Sequence, residues 1–311
     1  MEKGIIIHRA PDAGRNTRLL FTEKTPVDKG WSGEKKYSAL DESGNRYLLR
    51  VSSPETLSQK KTEFDMMLRV HTLGVRICAP IALYETQEGV ISVHEWIFGR
   101  DLEEAFPFLT EEEKYLYGLE AGRMLIKIHS IPAPDHVPDW GERFQRKIDR
   151  KLEMYAACPL KYDNGERMTA FIEENRRYIQ SCPQSFQHGD YHSGNMMLDS
   201  EGRLTVIDFN RFDFGDPVEE LNRIVWSAQL SGNFACGMVD GYTENSASTE
   251  FFLKLAVYIA NNSLGSLPWA ISYGDKEIAV MQKQALDILS WYDGFHTVIP
   301  SWYAKCPFRR P

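Results

Sequence analysis

The stretch that decides the reading of this chain is His188-Gly-Asp190-Tyr-His192-Ser-Gly-Asn195-Met-Met-Leu-Asp199-Ser-Glu-Gly-Arg203-Leu-Thr-Val-Ile-Asp208-Phe209. Met196 to Leu198 and Leu204 to Ile207 are strand-like, and Ser200 to Arg203 reads as a turn. With the turn centred between Glu201 and Gly202, cross-strand partners have numbers that sum to 403, which sets Asn195 opposite Asp208. Direct antiparallel partners lie about 5 Å apart at Cα. An amide oxygen and a carboxylate then converge at the open end of a hairpin, and hard oxygen donors suit Mg²⁺ better than zinc. Asp190 stands five residues before Asn195, in the loop above that end, where it can meet a substrate hydroxyl. An ordinary polar hairpin with solvated carboxylates would not require all three residues at this spacing.

The spacing follows the logic of a kinase catalytic loop. There an Asp accepts a hydroxyl proton, an Asn five residues on holds metal, and a later Asp holds the metal that bridges the phosphates. The rest of the chain is compatible with a soluble enzyme. It has 311 residues, 42% apolar and 26% charged, enough for one large domain or two modest ones. Collagen-like, disordered and small disulfide-scaffold classes are excluded. Lys and Arg number 36 against 44 Asp and Glu, a net charge of −8, so no nucleic-acid partner is expected. The charge is uneven. Residues 1–95 hold 14 basic and 13 acidic side chains, and residues 96–311 hold 22 and 31. That excess suits solubility, or a second lobe that attracts a cationic small molecule.

Cys78, Cys158, Cys182, Cys236 and Cys306 form no CxxC pair, as expected of free thiols in a reducing compartment. The N-terminal apolar run is too short for a signal peptide, and 251–271 carries Lys254, Asn261 and Asn262, so it reads as a core helix. A cytoplasmic protein with no membrane partner is expected.

The first ninety-odd residues read as strands. Phe21 to Val27, Lys36 to Leu40 and Arg46 to Val51 are separated by turn signals, and Val75 to Tyr84 and Val90 to Ile97 follow. Phe64, Met67, Leu68 and His71 mark one helix between them. After Gly99 the pattern is helical. Tyr115, Leu119, Gly122, Ile126 and His129 form one apolar stripe, Arg143 to Tyr155 a further helix with Arg146, Lys147, Arg150 and Lys151 on a solvated face, and 218–295 a helical region broken at Gly232, Gly265 and Gly274. The expected fold is α+β and bilobal, with a strand-rich N-terminal lobe, 1–97, carrying one helix, and a helix-rich C-terminal lobe, 98–311.

His188 to Asn195 followed by Ile207-Asp208-Phe209 resembles the signature of the aminoglycoside phosphotransferase family, small-molecule kinases with a protein-kinase-like fold. Lys127-Ile-His129-Ser-Ile131 and Gly215-Asp216-Pro217 resemble further family features. The resemblance implies that Asp190 is the catalytic Asp and that Asn195 and Asp208 hold Mg²⁺. It implies that Glu63 pairs with a strand cation, here Arg50 where the family usually has Lys, and that this pair anchors the nucleotide phosphates. Gly30-Trp31-Ser32-Gly33 becomes a phosphate cover through Ser32, Gly33 and nearby backbone N–H groups. Glu95, Trp96 and Ile97 become the connection whose backbone meets the adenine or guanine edge. Glu219, Glu220 and Asp293 are candidates for holding the acceptor. Asp216 is expected to anchor a helix N-terminus, and His129 to be a satisfied core histidine.

The implied activity is ATP- or GTP-dependent phosphorylation of a small-molecule hydroxyl. An aminoglycoside-type antibiotic is the first expected acceptor, because an acidic lobe suits a polyamine sugar. Choline, homoserine, fructosamine and methylthioribose are acceptors served by the same fold, and a non-catalytic nucleotide-binding protein is the alternative from a different class.

Overall fold

The computed structural model describes residues 5–9, 19–28, 33–87 and 89–309. In chain order the elements are β1 (Ile5–Arg9), β2 (Phe21–Pro26), β3 (Lys35–Asp41), β4 (Arg46–Ser52), α1 (Leu57–Thr72), β5 (Pro80–Thr86), β6 (Gly89–Glu95), β7 (Gly99–Asp101), α2 (Leu102–Ala105) and α3 (Glu111–His129). There follow α4 (Trp140–Ala157), α5 (Gly165–Asn175), β8 (Ser185–Gln187), β9 (Met196–Asp199), β10 (Leu204–Val206), β11 (Asp213–Gly215), α6 (Pro217–Glu220), α7 (Ile224–Leu230), α8 (Gly232–Thr243), α9 (Thr249–Ile271), α10 (Asp275–Trp291) and α11 (Ser301–Ala304). They form two compact units, residues 1–101 with 196–210 and residues 102–195 with 211–311. The architecture is α+β.

In the first unit six antiparallel strands run in the order β1-β5-β6-β4-β3-β2. Period-two alternation sorts their side chains between two faces. Ala82, Tyr84, Ile91 and Val93 join Ala39 and Leu49 in one cluster, whereas Leu83 and Val90 point the other way and receive Phe64 from α1. The fifth strand starts at Pro80 rather than Val75.

A smaller sheet, β10-β9-β7, carries the decisive hairpin. Leu204 pairs with Leu198, Thr205 with Met197 and Val206 with Met196. This is one residue out of the expected register, so Asn195 is not the ladder partner of Asp208. The cause is the turn. Gly202 takes φ +75°, and the Asp199 carboxylate accepts hydrogen bonds from the N–H groups of Glu201 and Arg203, both at 2.9 Å. Three residues, not two or four, therefore form the loop, as in a type I turn closed by a left-handed residue. Asp208 lies beyond the strand with φ +69°, a conformation that Asp tolerates better than most side chains.

In the second unit α3 and α8 touch backbone to backbone. A Cβ on Gly118 would come 2.2 Å from the Phe234 carbonyl oxygen, and one on Gly122 would come 2.3 Å from that of Met238. Gly237 and Gly241 face them from α8. The buried side of α3 is accordingly Tyr115, Gly118, Ala121, Gly122, Leu125 and Ile128, rotated from the expected stripe, with Leu119, Ile126 and His129 at its edge. A Thr110–Glu113 capping box starts this helix. Gly232 and Gly274 do mark helix starts, but Gly265 lies inside the 23-residue α9. No helix of the described residues is long and apolar enough to cross a membrane.

Candidate active site

The second unit builds the loop that carries Asp190. β8 pairs with β11 and ends at Gln187. Gly189 follows at φ +86°, where a Cβ would lie 1.9 Å from the Arg211 carbonyl oxygen, so only glycine fits. Glu220 sits beneath the loop, 2% exposed. It accepts the Gly189 N–H at 3.1 Å and the Tyr191 N–H at 3.4 Å. Burial alone would raise its carboxyl, yet His129, His188 and the Gly189 N–H bring it below the ordinary range. The expectation that Glu220 holds the acceptor is therefore corrected: a buried carboxylate bonded to the backbone braces the loop. His129 is only half satisfied: its Nδ1 lies 2.9 Å from the Tyr242 hydroxyl, while its buried Nε2 has no hydrogen-bond partner among the described residues and faces Glu220 Oε2 at 3.9 Å. Asp216 caps α6 through the Val218 N–H.

The loop is pinned at its far end as well. The Ser193 N–H donates to the Ser227 hydroxyl at 3.0 Å and its own hydroxyl donates to Glu103 at 2.8 Å. Asn195 Nδ2 donates to the Asp190 carbonyl oxygen at 2.8 Å, which brings these two predicted residues together. The Asp190 side chain, 19% exposed, has Oδ1 3.3 Å from Arg223 Nε and 3.7 Å from His192 Nε2, and Oδ2 3.4 Å from Arg211 Nη1. Burial would raise its carboxyl, but His192, Arg223 and Arg211 outweigh it and hold the group well below the usual carboxylate range.

In the first unit the charges form a chain. Arg50 donates through Nε to Glu34 at 2.6 Å and through Nη2 to Asp208 Oδ1 at 2.9 Å. Lys60 Nζ lies 2.5 Å from both Glu34 and Glu63. The expected Arg50–Glu63 pair is thus replaced by Glu63–Lys60–Glu34–Arg50–Asp208. Glu34, held by both cations against its burial, has its carboxyl lowered to about 2. Arg50 is pushed above its ordinary value because the carboxylates of Glu34, Asp208 and Glu63 outweigh burial. Lys36, cross-strand from Arg50, is lowered chiefly by burial. Neither the Lys60 nor the Glu34 side chain was read as functional from the sequence, where Glu34 entered only through its backbone N–H. The helical spacing of Lys60 and Glu63 was the available signal for the first.

Gly33 opens the described part of the glycine-rich loop, with nothing within 4 Å of a Cβ placed there. Gly30, Trp31 and Ser32 lie outside the described residues. The Glu95 N–H donates to Ala79 and its carbonyl accepts the Cys78 thiol. This leaves Trp96 and Ile97 as the groups of the connection that can meet a base edge. All three line a cavity of about 370 Å³ with Arg76, Arg203 and Thr205.

Glu219 is partly exposed but engaged, 3.1 Å from Lys147 and 3.3 Å from Gln187 Nε2. Asp293 lies in the turn after α10 at φ +50° and touches no other predicted site residue among those described. Lys147 and Lys151 turn partly inward, while Arg146 and Arg150 are exposed, so the basic run of α4 is only half a solvated face.

The donors suit a hard divalent ion. Asn195 has its amide nitrogen tied to the loop and its Oδ1 unengaged, and Asp208 keeps Oδ2 unengaged, among the described residues. No group of three or more His, Cys, Asp and Glu able to hold a metal occurs among the described residues. Mg²⁺ is commonly held through one or two oxygens of this kind with water and a ligand's phosphates.

The model of the phosphotransferase enzyme family (APH) matches residues 24–252. The chain belongs to that family. It is a small-molecule kinase, a phosphotransferase with an alcohol group as acceptor. Solved structures of family-like enzymes share its protein-kinase-like α+β fold. A thermostable mutant of aminoglycoside phosphotransferase APH(4)-Ia, in ternary complex with ADP and hygromycin B, is 17% identical, with TM-score 0.60 over 86% of this chain and 94% of its own. The GDP complex of an aminoglycoside 2′-phosphotransferase-IIIa mutant is 14% identical, with TM-score 0.65 over 89% and 94%. A choline/ethanolamine kinase family protein from Mesorhizobium loti is 16% identical, with TM-score 0.63 over 88% and 91%. No curated protein sequence matches the chain.

Proposed function

We propose that this phosphotransferase moves the γ-phosphoryl group of ATP or GTP to a hydroxyl of a small molecule, with Asp190 as the catalytic residue. The observation that carries this reading is the Asp190 carboxylate. It is kept ionised by Arg223, Arg211 and His192 on a loop fixed by Glu220, Ser193 and Asn195. An ionised, positioned carboxylate accepts a hydrogen bond from the acceptor hydroxyl and aims its lone pair, and positioning of this kind supplies much of the acceleration in phosphoryl transfer. Arg211 and Arg223 place positive charge where the transferred group gains negative charge.

In this reading residues 1–97 serve as the nucleotide lobe and 98–311 as the acceptor lobe. Asn195 and Asp208 are the proposed Mg²⁺ ligands, and Arg50 and Glu63 hold the phosphate side, with Lys60 and Glu34 between them. Ser32 and Gly33 cover the phosphates, and Glu95 to Ile97 meet the base. When bound, Mg²⁺ neutralises charge on the phosphate oxygens. Asp208→Ala is expected to abolish Mg²⁺-dependent nucleotide affinity. Calorimetry that finds normal MgATP binding in this variant would remove Asp208 from the site.

A second reading concerns the acceptor. The 31 acidic against 22 basic side chains of residues 96–311 favour an aminoglycoside-type polycation, with an antibiotic-modifying role in the cytoplasm. A coupled turnover screen of aminoglycosides, choline, amino-sugar metabolites and acidic alcohols separates the acceptor classes. Nucleotide binding without turnover on any acceptor would favour a non-catalytic protein.

A further inference from the structure

One face of α4 presents Arg143, Lys147 and Lys151 at successive helical turns, alongside residues 213–223 and α9. Their partners thin out along the helix. Arg143 has Asp213 at 3.2 Å. Lys147 has Glu219 at 3.1 Å, which also accepts from Gln187. Lys151 has only a neutral partner, the Asn262 amide oxygen at 3.3 Å, and no carboxylate within ion-pair distance among the described residues. Arg223 completes the group. Its Nε faces Asp190 at 3.3 Å, and its two Nη groups have no partner among the described residues.

Lys151 is deliberately accommodated. Its aliphatic stem lies over Gly265, where a Cβ would come 2.9 Å from the lysine Cδ and Cε. The glycine that looked like a helix break is the slot for this side chain. A half-buried ammonium without an anion is still costly, and proteins usually pair it. Here burial first, then Lys147, Arg223 and Arg150, with Glu219 opposing, bring Lys151 down to about 7. Around Asp190 and Glu219 the cations Lys147, Lys151, Arg211 and Arg223 are in excess, although the unit as a whole is acidic.

Resting on the phosphotransfer reading, we propose that Lys147, Lys151 and Arg223 form a subsite for an acidic group of the acceptor. The substrate is then an alcohol that carries a phosphate or carboxylate. Arg223 reaches both Asp190 and the subsite, so the reacting hydroxyl and the acidic group are a few bonds apart. An oxyanion between the two lysines and the Arg223 Nη groups would receive charge-assisted hydrogen bonds and relieve the unpaired Lys151.

The test is calorimetric. Protein saturated with Mg·AMP-PNP is titrated with sn-glycerol 3-phosphate, glycerate and spermidine. Binding of at least one of the two acidic alcohols is expected, which also identifies the preferred acid, with no binding of spermidine at this site. Lys151→Met and Lys147→Met should each weaken it at least about tenfold, about 1.4 kcal/mol, while Mg·AMP-PNP affinity stays unchanged. Near neutral pH the wild-type heat should vary with the buffer, because binding recharges Lys151, and Lys151→Met should lose that proton uptake. A lysine that merely ties α4 to α9 would show neither effect. Lys147, its side chain 35% exposed, tolerates substitution, so its variant reads the subsite even if Lys151→Met folds poorly. Absence of oxyanion binding, affinity unchanged in both variants, or a preference for spermidine overturns the proposal. The titration is repeated without nucleotide. Loss of Mg·AMP-PNP binding would then count against the phosphotransfer reading alone.

Discussion

Asp190→Ala is expected to lower kcat by at least about 10²-fold, with nucleotide affinity within about twofold of wild type. The reasoning starts from what the carboxylate touches. It faces Arg223, Arg211 and His192. Its removal takes away the acceptor for the hydroxyl proton and leaves the arginines behind. Those arginines are 26% and 54% exposed, so water can solvate them and stability should fall by no more than about 1 kcal/mol. A loss of activity in a folded, nucleotide-binding variant therefore reports chemistry. Asp190→Asn should be nearly as inactive, because an amide keeps the shape but neither the charge nor the basicity. Steady-state kinetics with urea denaturation of the same samples checks both halves. Unchanged kcat in Asp190→Ala would remove this residue from the mechanism.

Arg50→Met is expected to destabilise the protein by about 3–5 kcal/mol, the usual cost of removing one partner from a buried ion pair. Arg50 bridges two carboxylates, with Nε and Nη2 on Glu34 and Nη2 also on Asp208, and its side chain is 6% exposed. Without it, Glu34 retains Lys60 but Asp208 loses its only ion pair among the described residues. Asp208 is 25% exposed, which places the cost toward the lower end of that range. Arg50→Lys should recover only part of the loss, because one ammonium cannot reproduce the fork geometry toward both acids. A double-mutant cycle with Glu34→Gln should show coupling of at least about 1 kcal/mol. Chemical denaturation that finds Arg50→Met within about 0.5 kcal/mol of wild type would contradict the charge-chain description.

The parts of the molecule that were legible from sequence are those where periodicity and spacing act locally. Strands β2 to β4 and β6 are β-rich runs set off by turn residues, and α1 and α4 carry apolar faces, so their places could be read within a few residues. The catalytic stretch was legible because Asp190, Asn195 and Asp208 are separated by fixed short intervals. Its hairpin register was missed by one residue, although the signal was present. Asp199 followed three residues later by Gly202 is the pattern of a carboxylate-capped turn with a left-handed glycine.

Partners across the fold were harder. Arg50 was read with Glu63 because nothing local shows that Lys60, one turn before Glu63, reaches it first, or that Glu34 swings in from the loop. Glu220 looked free to hold the acceptor, since its burial depends on the Gly189 loop arriving from thirty-odd residues upstream. Lys147 and Lys151 looked solvated because helical spacing shows which residues share a face, not which of two polar flanks another helix will cover. Gly265 looked like a break for the same reason: its cause is a side chain on a different helix.

The account turns on whether Asp190 directs a phosphoryl group to an alcohol. The most direct measurement is ³¹P NMR of MgATP incubated with the protein and each member of the acceptor panel. The expected result is a new phosphate-ester resonance, growing with ADP, for at least one acceptor, and its absence in an Asp190→Ala sample that still binds MgATP. ATP left intact with every acceptor, or the same ester formed at the same rate by Asp190→Ala, would contradict it.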